Sequence, residues 1–471
     1  MSLNIYNSLS RKKDLFKPIY EGNVGLYVCG PTVYGPPHLG HARSYTNFDV
    51  VRRYFEYLGY NVKYVQNITD VGHLVGDSDD GQDKILVQAQ KENADPYAIA
   101  YKYETIYFEY MDKLNIKRPT ISARATAFIP EMIELVQAII DKGFAYVTKD
   151  GNVYFSVRKF NDYGKLSNRK LDNNLSGERI NIADDKEYPE DFALWKTATG
   201  GHIMKWNSPW GVGYPGWHIE CSTLSKKFLG KTFDIHGGGL DNIFPHHESE
   251  IAQSEVANGT KFVNYFMHNN LITVNGTKMG KSLGNFITLE ELFNKFDPML
   301  VRYFILQFHY RKPVDFSFDA IASFKEQFEK INEVCAKIKS LKNANVKLSN
   351  ADLANIKTNF ESAMNDDFNT PLAIVELLNF IKLSNKALSE NNIDFINQAN
   401  ILVKMFEDVL GFNFKYDTIK VQTTESNDVK LVSLISDIRE KLRQNKNYEL
   451  SDYIRDELVK LNITTQDKKL K

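Results

Sequence analysis

The tightest constraint on the fold lies between residues 24 and 67. Val24 to Gly30 (VGLYVCG) reads as a short apolar strand, and a loop rich in glycine and proline, PTVYGPPHLGH, follows it. An amphipathic helix then runs from about Gly40 to Leu58, with Ala42, Tyr45, Phe48, Val51, Phe55 and Leu58 recurring every three or four positions. Gly59 ends it, and Asn61 to Asn67 (NVKYVQN) reads as the next strand. Strand, glycine loop, helix and strand in that order make the βαβ unit of a nucleotide-binding sheet, which binds its ligand at the carboxyl ends of the strands.

From about Asp77 to Gly213 the pattern is mixed and polar. Helical stretches near Lys84–Leu114 and Pro130–Lys142 give way to hairpin-like pieces around Tyr146–Val157, which reads as an insertion between two halves of one sheet. Phe233–Gly239 (FDIHGGG) resumes the strand signal, a helix follows at about Pro245–Val256, and Val263–Met267 and Leu271–Val274 are further strands. Beyond about Ser317 apolar residues recur at helical spacing as far as Phe412, Gln422–Asp428 is a polar linker, and Leu431–Leu461 reads as a helical hairpin. The expected fold is α/β: a Rossmann-type parallel sheet split by an α+β insertion, then an all-α helical bundle. The expected boundaries are residues 1–76 and 214–270 for the sheet halves, 77–213 for the insertion, 271–316 for a loop region, 317–421 for the bundle, and 422–471 for linker and hairpin.

Composition excludes several classes. A chain of 471 residues with 43% hydrophobic and 25% charged residues can bury sizeable cores. The net charge of -1 rules out a polycation, so a nucleic-acid partner has to be met by local basic surface, such as Arg439, Lys441, Arg443 and Lys446. Three cysteines, Cys29, Cys221 and Cys335, cannot staple a disulfide scaffold and fit a reducing compartment. MSLNIYNSLSRKK has no apolar signal-peptide core, and no run reaches about 18 apolar residues. A cytoplasmic protein that does not enter membranes is expected.

Two short motifs suit phosphate. His38-Leu39-Gly40-His41 stands where the first loop meets its helix. N–H groups and the positive helix end favour an anion there, Gly40 allows close approach, and two histidines three apart can donate to phosphate oxygens. Lys278-Met279-Gly280-Lys281-Ser282 follows a strand and an Asn275-Gly276 turn, and brings two lysines to one loop. Alone, the first motif could be surface histidines beside a Pro-rich turn, and the second an ordinary solvated lysine pair. Together, about 240 residues apart, they make two anchors for one crevice, as chemistry at an α-phosphate requires. The pair resembles the two signatures of class I aminoacyl-tRNA synthetases, usually written HIGH and KMSKS. Leu39 replaces the isoleucine, and Gly280 replaces the serine, which removes a hydroxyl and loosens the loop.

Cys29, Cys221, His246 and Glu250 are of metal-ligand type, and His246 and Glu250 are four apart on one helix face. Two thiolates, an imidazole and a carboxylate suit zinc. His247, three residues before Glu250, is left open by spacing alone. Four segments, YVCGPTVYGPPHLGH, PGWHIECS, FDIHGGGLDNIFPHHESEIAQS and MNDDFNTP, resemble the cysteinyl-tRNA synthetases, and the likeness runs from about Tyr6 to Ile463. That resemblance implies that Cys29, Cys221, His246 and Glu250 bind zinc, and that Thr32, Trp217, His236 and Asp241 line the amino-acid pocket. It implies ATP-binding roles for His38, Gly40, His41, Lys278, Lys281 and Ser282, with His38, His41, Lys278 and Lys281 as the catalytic groups. Residues 271–316 become a stem-contact region and 317–421 an anticodon-binding bundle. The implied partners are ATP with Mg²⁺, L-cysteine and tRNA(Cys), acting on a monomer. A free thiol, with a pKa of about 8.5, is mostly protonated at neutral pH, and zinc deprotonates a coordinating thiol. Selection against serine then rests on bond type, so no editing site is expected. Two rival readings are a cysteine ligase of the same superfamily acting on a small amino sugar, and a non-catalytic RNA-binding paralogue.

Overall fold

The structure, a computed structural model, describes residues 2–75, 81–169, 185–199, 202–280, 283–341 and 346–415, and near the C-terminus 435, 438–439, 441–443, 445 and 447–460. Met1–Phe414 forms one compact unit and Lys415–Lys471 a second. The chain opens with a hairpin, β1 (Asn4–Asn7) and β2 (Lys12–Leu15), before β3 (Asn23–Val28), α1 (Leu39–Tyr57) and β4 (Asn61–Ile68). Helices α2 (Lys84–Glu92) and α3 (Pro96–Lys113) lead to β5 (Ile121–Arg124) and α4 (Ile129–Asp141). Strands β6 (Ala145–Val147), β7 (Val153–Phe155), β8 (Phe192–Thr197), β9 (Trp206–Ser208) and β10 (Gly211–Pro215) form an antiparallel sheet of their own, in the order β6-β7-β8-β10-β9. The chain then returns through α5 (Trp217–Leu229), β11 (Phe233–Gly239), α6 (His246–Asn258) and β12 (Val263–Asn269).

The central sheet has the order β12-β11-β3-β4-β5 and is parallel throughout. Successive side chains of a strand point to opposite faces, and β3 shows it. Leu26 and Val28 join a cluster with Phe48 and Val51 of α1, whereas Tyr27 joins Leu224 of α5 and Ile251 of α6. The sheet is therefore covered on both faces, which is what its near-continuous apolar strands require. The helix α1 buries Ala42, Tyr45, Phe48, Val51 and Phe55 of the stripe expected of it, whereas Leu58 falls at the C-cap and is exposed.

The sequence reading gave no element for α5 (Trp217–Leu229), and three further features differ from it. The first is β5, which lies inside the segment expected to be wholly insertion (77–213) yet pairs in parallel with β4 as a fifth core strand. Its four residues, ISAR, bury only Ala123, so they carry no readable alternation. The second is the break in the helical stretch Lys84–Leu114. Asn93 takes φ 49°, ending α2 in the left-handed conformation, and Asp95 caps α3 by accepting from Tyr97 N. The third is the β1–β2 hairpin, which the sequence reading left without strands.

After β12 come β13 (Ile272–Val274), β14 (Thr277–Lys278), α7 (Leu289–Phe293), α8 (Pro298–Leu306), β15 (Val314–Phe316) and α9 (Phe318–Ala322). Asn275 and Gly276, at φ 50° and 76°, join β13 to β14 in the left-handed turn that such a pair favours. Helices α10 (Lys325–Ser340), α11 (Ala351–Asn365), α12 (Thr370–Ser389) and α13 (Ile393–Leu410) pack together, and α13 also packs against α1. At the α11–α12 junction Asn369 caps α12. Beside it the fully buried Asp367 carboxylate accepts from Tyr6 N, Tyr310 Oη and Arg311 Nε. In the second unit Tyr448–Lys460 is helical. The expected linker Gln422–Asp428 lies outside the described residues, as does Lys446 of the basic cluster. Among the described residues no helix is long and apolar enough to cross a membrane.

One buried ion pair ties the first unit together. Arg302 of α8 is 0% exposed, and its guanidinium donates to Asp49 Oδ2 of α1 at 2.5 Å, Leu114 O at 2.9 Å and Leu410 O at 2.7 Å. Asp49 also accepts from Arg53 Nε and Lys117 N. Burial alone would raise the Asp49 carboxyl, but the two guanidiniums and the Lys117 N–H outweigh it and hold it below the usual carboxylate range. Arg302→Met leaves Asp49 short of a partner in a dry site. We expect it to lower unfolding free energy by about 3 kcal/mol in urea titrations. A depressed carboxyl stabilises above its unfolded value of about 3.9 and loses that stabilisation as pH falls through its folded value. The gap between wild type and Arg302→Met should therefore shrink on acidification below about pH 4; a gap that widens would contradict the assignment.

Candidate active site

At the carboxyl ends of β3 and β11 opens a cleft of about 440 Å³, within the range of small-ligand sites. Its wall includes Cys29, Thr32, His38, Gly40, His41, Trp217, Cys221, Asp241, His246 and Lys278. Lys281 and Ser282 lie outside the described residues. His236 and Glu250 are fully buried and are not part of the cleft wall.

The first phosphate motif is tied by backbone bonds to the segment that follows the second. Leu39 N donates to Ile287 O at 3.1 Å and Leu289 N to Pro37 O at 2.9 Å, so the segment after the lysine loop pairs with the segment before α1. Asn285 braces that loop, accepting from Gly280 N and donating to Lys278 O. A Cβ on Gly40 would lie 3.6 Å from Met279 Cε. The helix end itself differs from expectation. Two of its first N–H groups are satisfied within the chain, Leu39 N by Ile287 O and Gly40 N by His38 Nδ1. The missing Cβ at Gly40 makes room for the His38 ring, whose Cε1 would be 2.9 Å away.

What the histidines then offer follows from their tautomers. His38 Nδ1 accepts from Gly40 N and His41 Nδ1 accepts from His38 N. Each neutral ring therefore carries its proton on Nε2. The rings stack with centroids 3.8 Å apart, which sets two Nε2–H donors side by side.

At the base of the cleft Cys29 Sγ, Cys221 Sγ, His246 Nε2 and a Glu250 oxygen all lie within 4.8 Å of one another. Tetrahedral zinc with bonds of roughly 2.0–2.3 Å needs donors roughly 3.3–3.8 Å apart. Cys29 stands 4.0 Å from Cys221 and 3.8 Å from Glu250 Oε1, and His246 Nε2 is 3.1 Å from that oxygen, so the set fits a small divalent metal. A second set, Cys29, His236, His247 and Glu250, is equally compact. Within it His247 Nε2 stands 3.2 Å from Cys29 and His236 Nε2 2.8 Å from Glu250 Oε2, and His247 Nδ1 meets His268 Nε2 at 2.8 Å. In place of a wall position, His236 thus braces the carboxylate. His218 Nδ1 meets His246 Nδ1 at 2.8 Å and leaves His246 Nε2 for the shared centre.

Burial pushes the Cys29 thiol up to about 11, and Cys221 goes well above its ordinary value for the same reason. Burial, then repulsion from His218 and His236, keeps His246 neutral. Two thiols and a carboxylate around neutral imidazoles in a dry site are donors whose anionic forms need a cation.

Sequence reasoning missed His73, Lys84 and Asn285. His73 stacks on Trp217 at 3.9 Å and 11°, bonds Thr32 Oγ1 through Nδ1, and bonds Lys84 Nζ through Nε2. None of the three stands in one of the motifs, so nothing short of the fold could single them out.

Residues 15–326 match the family described as tRNA synthetases class I (C) catalytic domain, and residues 359–415 match the DALR domain. The parallel sheet and its cleft are accordingly those of a class I aminoacyl-tRNA synthetase. The chain is 50% identical to a cysteine–tRNA ligase of Chlorobaculum tepidum, over 99% of this chain and 97% of that one. It is 43% identical to one of Thermus thermophilus, over 100% and 98%. On that likeness the chain belongs to the cysteine–tRNA ligase family. In fold it resembles the Mycobacterium tuberculosis methionyl-tRNA synthetase in complex with methionyl-adenylate, with a TM-score of 0.59 and 15% identity over 83% of this chain and 92% of that one.

Elemental analysis should find about one tightly held divalent metal per chain in the wild type and almost none in Cys221→Ala. Equal metal content in the two proteins would move the centre to the set built on His236 and His247.

Proposed function

We propose that the chain joins L-cysteine to ATP as the adenylate and passes it to the 3′-terminal adenosine of tRNA(Cys), with zinc held by Cys29, Cys221, His246 and Glu250. The observation that carries this reading is that a soft metal-donor set and two phosphate motifs face one cleft. Membership of the family supports aminoacylation of tRNA(Cys). The set with Cys221 and His246 is favoured because three of its four members line the cleft, whereas only Cys29 of the alternative set does. When bound, zinc would hold the substrate sulfur as a thiolate, a ligand that serine cannot match.

The remaining work falls to the chain's own groups. The substrate carboxylate attacks the α-phosphorus in line and pyrophosphate leaves with Mg²⁺, so positioning and charge stabilisation do the catalysis. His38 and His41 would donate their Nε2 protons to phosphate oxygens as charge builds, and Lys278 and Lys281 would meet the departing phosphates. Trp217 and Asp241, both on the cleft wall, would flank the amino acid, and Asp241 offers a carboxylate to its ammonium. In the second step the acyl group moves to a ribose hydroxyl, and no protein base is assigned. A cytoplasmic monomer fits this activity, with the helices beyond Ser317 contacting tRNA.

Labelled cysteine, unfractionated tRNA, ATP and Mg²⁺ provide the test. Wild type should charge tRNA and Cys221→Ala should not; absence of charging by wild type defeats the proposal. His41→Ala should lower kcat of cysteine-dependent ATP–pyrophosphate exchange by about 100-fold, the usual cost of one transition-state donor, with metal content unchanged. Chelation should abolish the preference for cysteine over serine before it unfolds the protein. Global unfolding on chelation would make the metal structural.

A further inference from the structure

His73 is placed with more care than a wall residue needs. It is 7% exposed, and the chain on both sides of it is pinned. Gly72 takes φ 75°, where a Cβ would lie 2.4 Å from Pro215 O, so only glycine passes that point. The buried Asp83 carboxylate accepts from Gly72 N at 2.7 Å, and Lys84 N donates to His73 O at 3.0 Å. The ring itself is held on its face by Trp217 and at both nitrogens, by Thr32 Oγ1 at 2.5 Å and Lys84 Nζ at 2.7 Å.

The direction of those bonds is set by chemistry. A lysine ammonium only donates, so His73 Nε2 accepts, and the neutral ring carries its proton on Nδ1. Nδ1–H then donates to Thr32 Oγ1. A hydroxyl that receives there keeps its own proton for another acceptor. Were Lys84 absent, the other tautomer would be open, the Thr32 proton would be spent on His73, and Thr32 could only accept from a ligand. Lys84 thus decides, through His73, whether Thr32 presents a donor to the cleft it lines.

We infer that His73 and Lys84 are positioning residues for the amino-acid substrate, holding the Thr32 hydroxyl as a donor to the substrate's carboxylate. This rests on the functional reading above, in which that carboxylate is the nucleophile and must be aimed at the α-phosphorus. Asp241 on the same wall provides the acceptor that the substrate's ammonium needs, so the two ends of the amino acid meet groups of opposite character.

The test is a double-mutant cycle on cysteine-dependent ATP–pyrophosphate exchange, with metal content and melting temperature recorded for each variant. His73→Phe keeps an aromatic ring against Trp217 and removes both hydrogen bonds. His73→Phe, Lys84→Met and Thr32→Val should each raise KM for cysteine about tenfold, the cost of one hydrogen bond to a charged group, and leave KM for ATP unchanged. Combining His73→Phe with Thr32→Val should add nothing to Thr32→Val alone. His73→Asn, whose amide N–H can replace Nδ1–H, should recover most of the affinity. If His73→Phe loses metal or melts early, Lys84→Met combined with Thr32→Val is read in its place. Additive effects, an unchanged KM for cysteine, or a rise confined to ATP would overturn the inference alone. No cysteine-dependent exchange by the wild type would remove the functional reading and this inference with it.

Discussion

Asp49 and Arg302 are fully buried and 2.5 Å apart, and a charge pair so placed is tolerated only when its other donors and acceptors are met. The partners that meet them decide how the first unit is assembled. Arg302 comes from α8, just after the lysine loop, and closes the carbonyl ends of two helices at Leu114 and Leu410. Asp49 comes from the middle of α1, whose N-terminus carries His38 and His41. Catalytic sheet, lysine-loop region and helical bundle therefore share one electrostatic centre. Gly411 completes it: at φ 70° it ends α13, and a Cβ there would lie 2.2 Å from Arg302 Nη2. The helix stop and the guanidinium's access to Leu410 O are thus a single requirement.

The cleft has two levels with different physics. Its outer level holds polar groups where solvent can reach, the stacked His38 and His41 and the exposed Lys278, suited to a charged nucleotide that brings its own counterion. Its base is dry. There burial raises both thiols and the Glu250 carboxyl and keeps the His246, His247 and His268 imidazoles neutral. Neutral histidines are useful for this, because each offers one donor and one acceptor and can bridge neighbours without adding charge. His247 runs from Cys29 to His268, and His268 continues to Ser8. His236 and His218 each orient a member of the metal-donor set. Such outer partners fix the orientation of metal ligands and govern how strongly they bind.

Much of this was legible in the sequence. The βαβ signal identified β3, α1 and β4 because period-3.6 and continuous apolar patterns survive wherever an element is long and buried. Phe233–Gly239 was placed to the residue. Among the elements that escaped, β5 is a four-residue edge strand with one buried side chain, too short and too polar for periodicity to register. At the site, the residue types in the HLGH and KMGKS motifs and the Cys/His/Glu set were readable, but their bonding was not. Gly40 was read as space for a nucleotide and is filled by the His38 ring; His236 was read as pocket wall and is bonded to Glu250 behind it. His73 and Lys84 carried no signal, since their roles arise from contacts with Thr32 and Trp217, far off in the chain.

What the sequence by itself determined was the class of chemistry. Thiol, imidazole and carboxylate have intrinsic softness and charge, a glycine loop between strand and helix has intrinsic freedom, and those properties travel with the residue wherever it lies. The tertiary structure alone decided which of ten histidines points which nitrogen at which atom. A neutral imidazole's proton position is not a property of the residue. It is set by the partner on its other side, and for His38, His73, His246 and His247 that partner is supplied by the folded backbone or by another element.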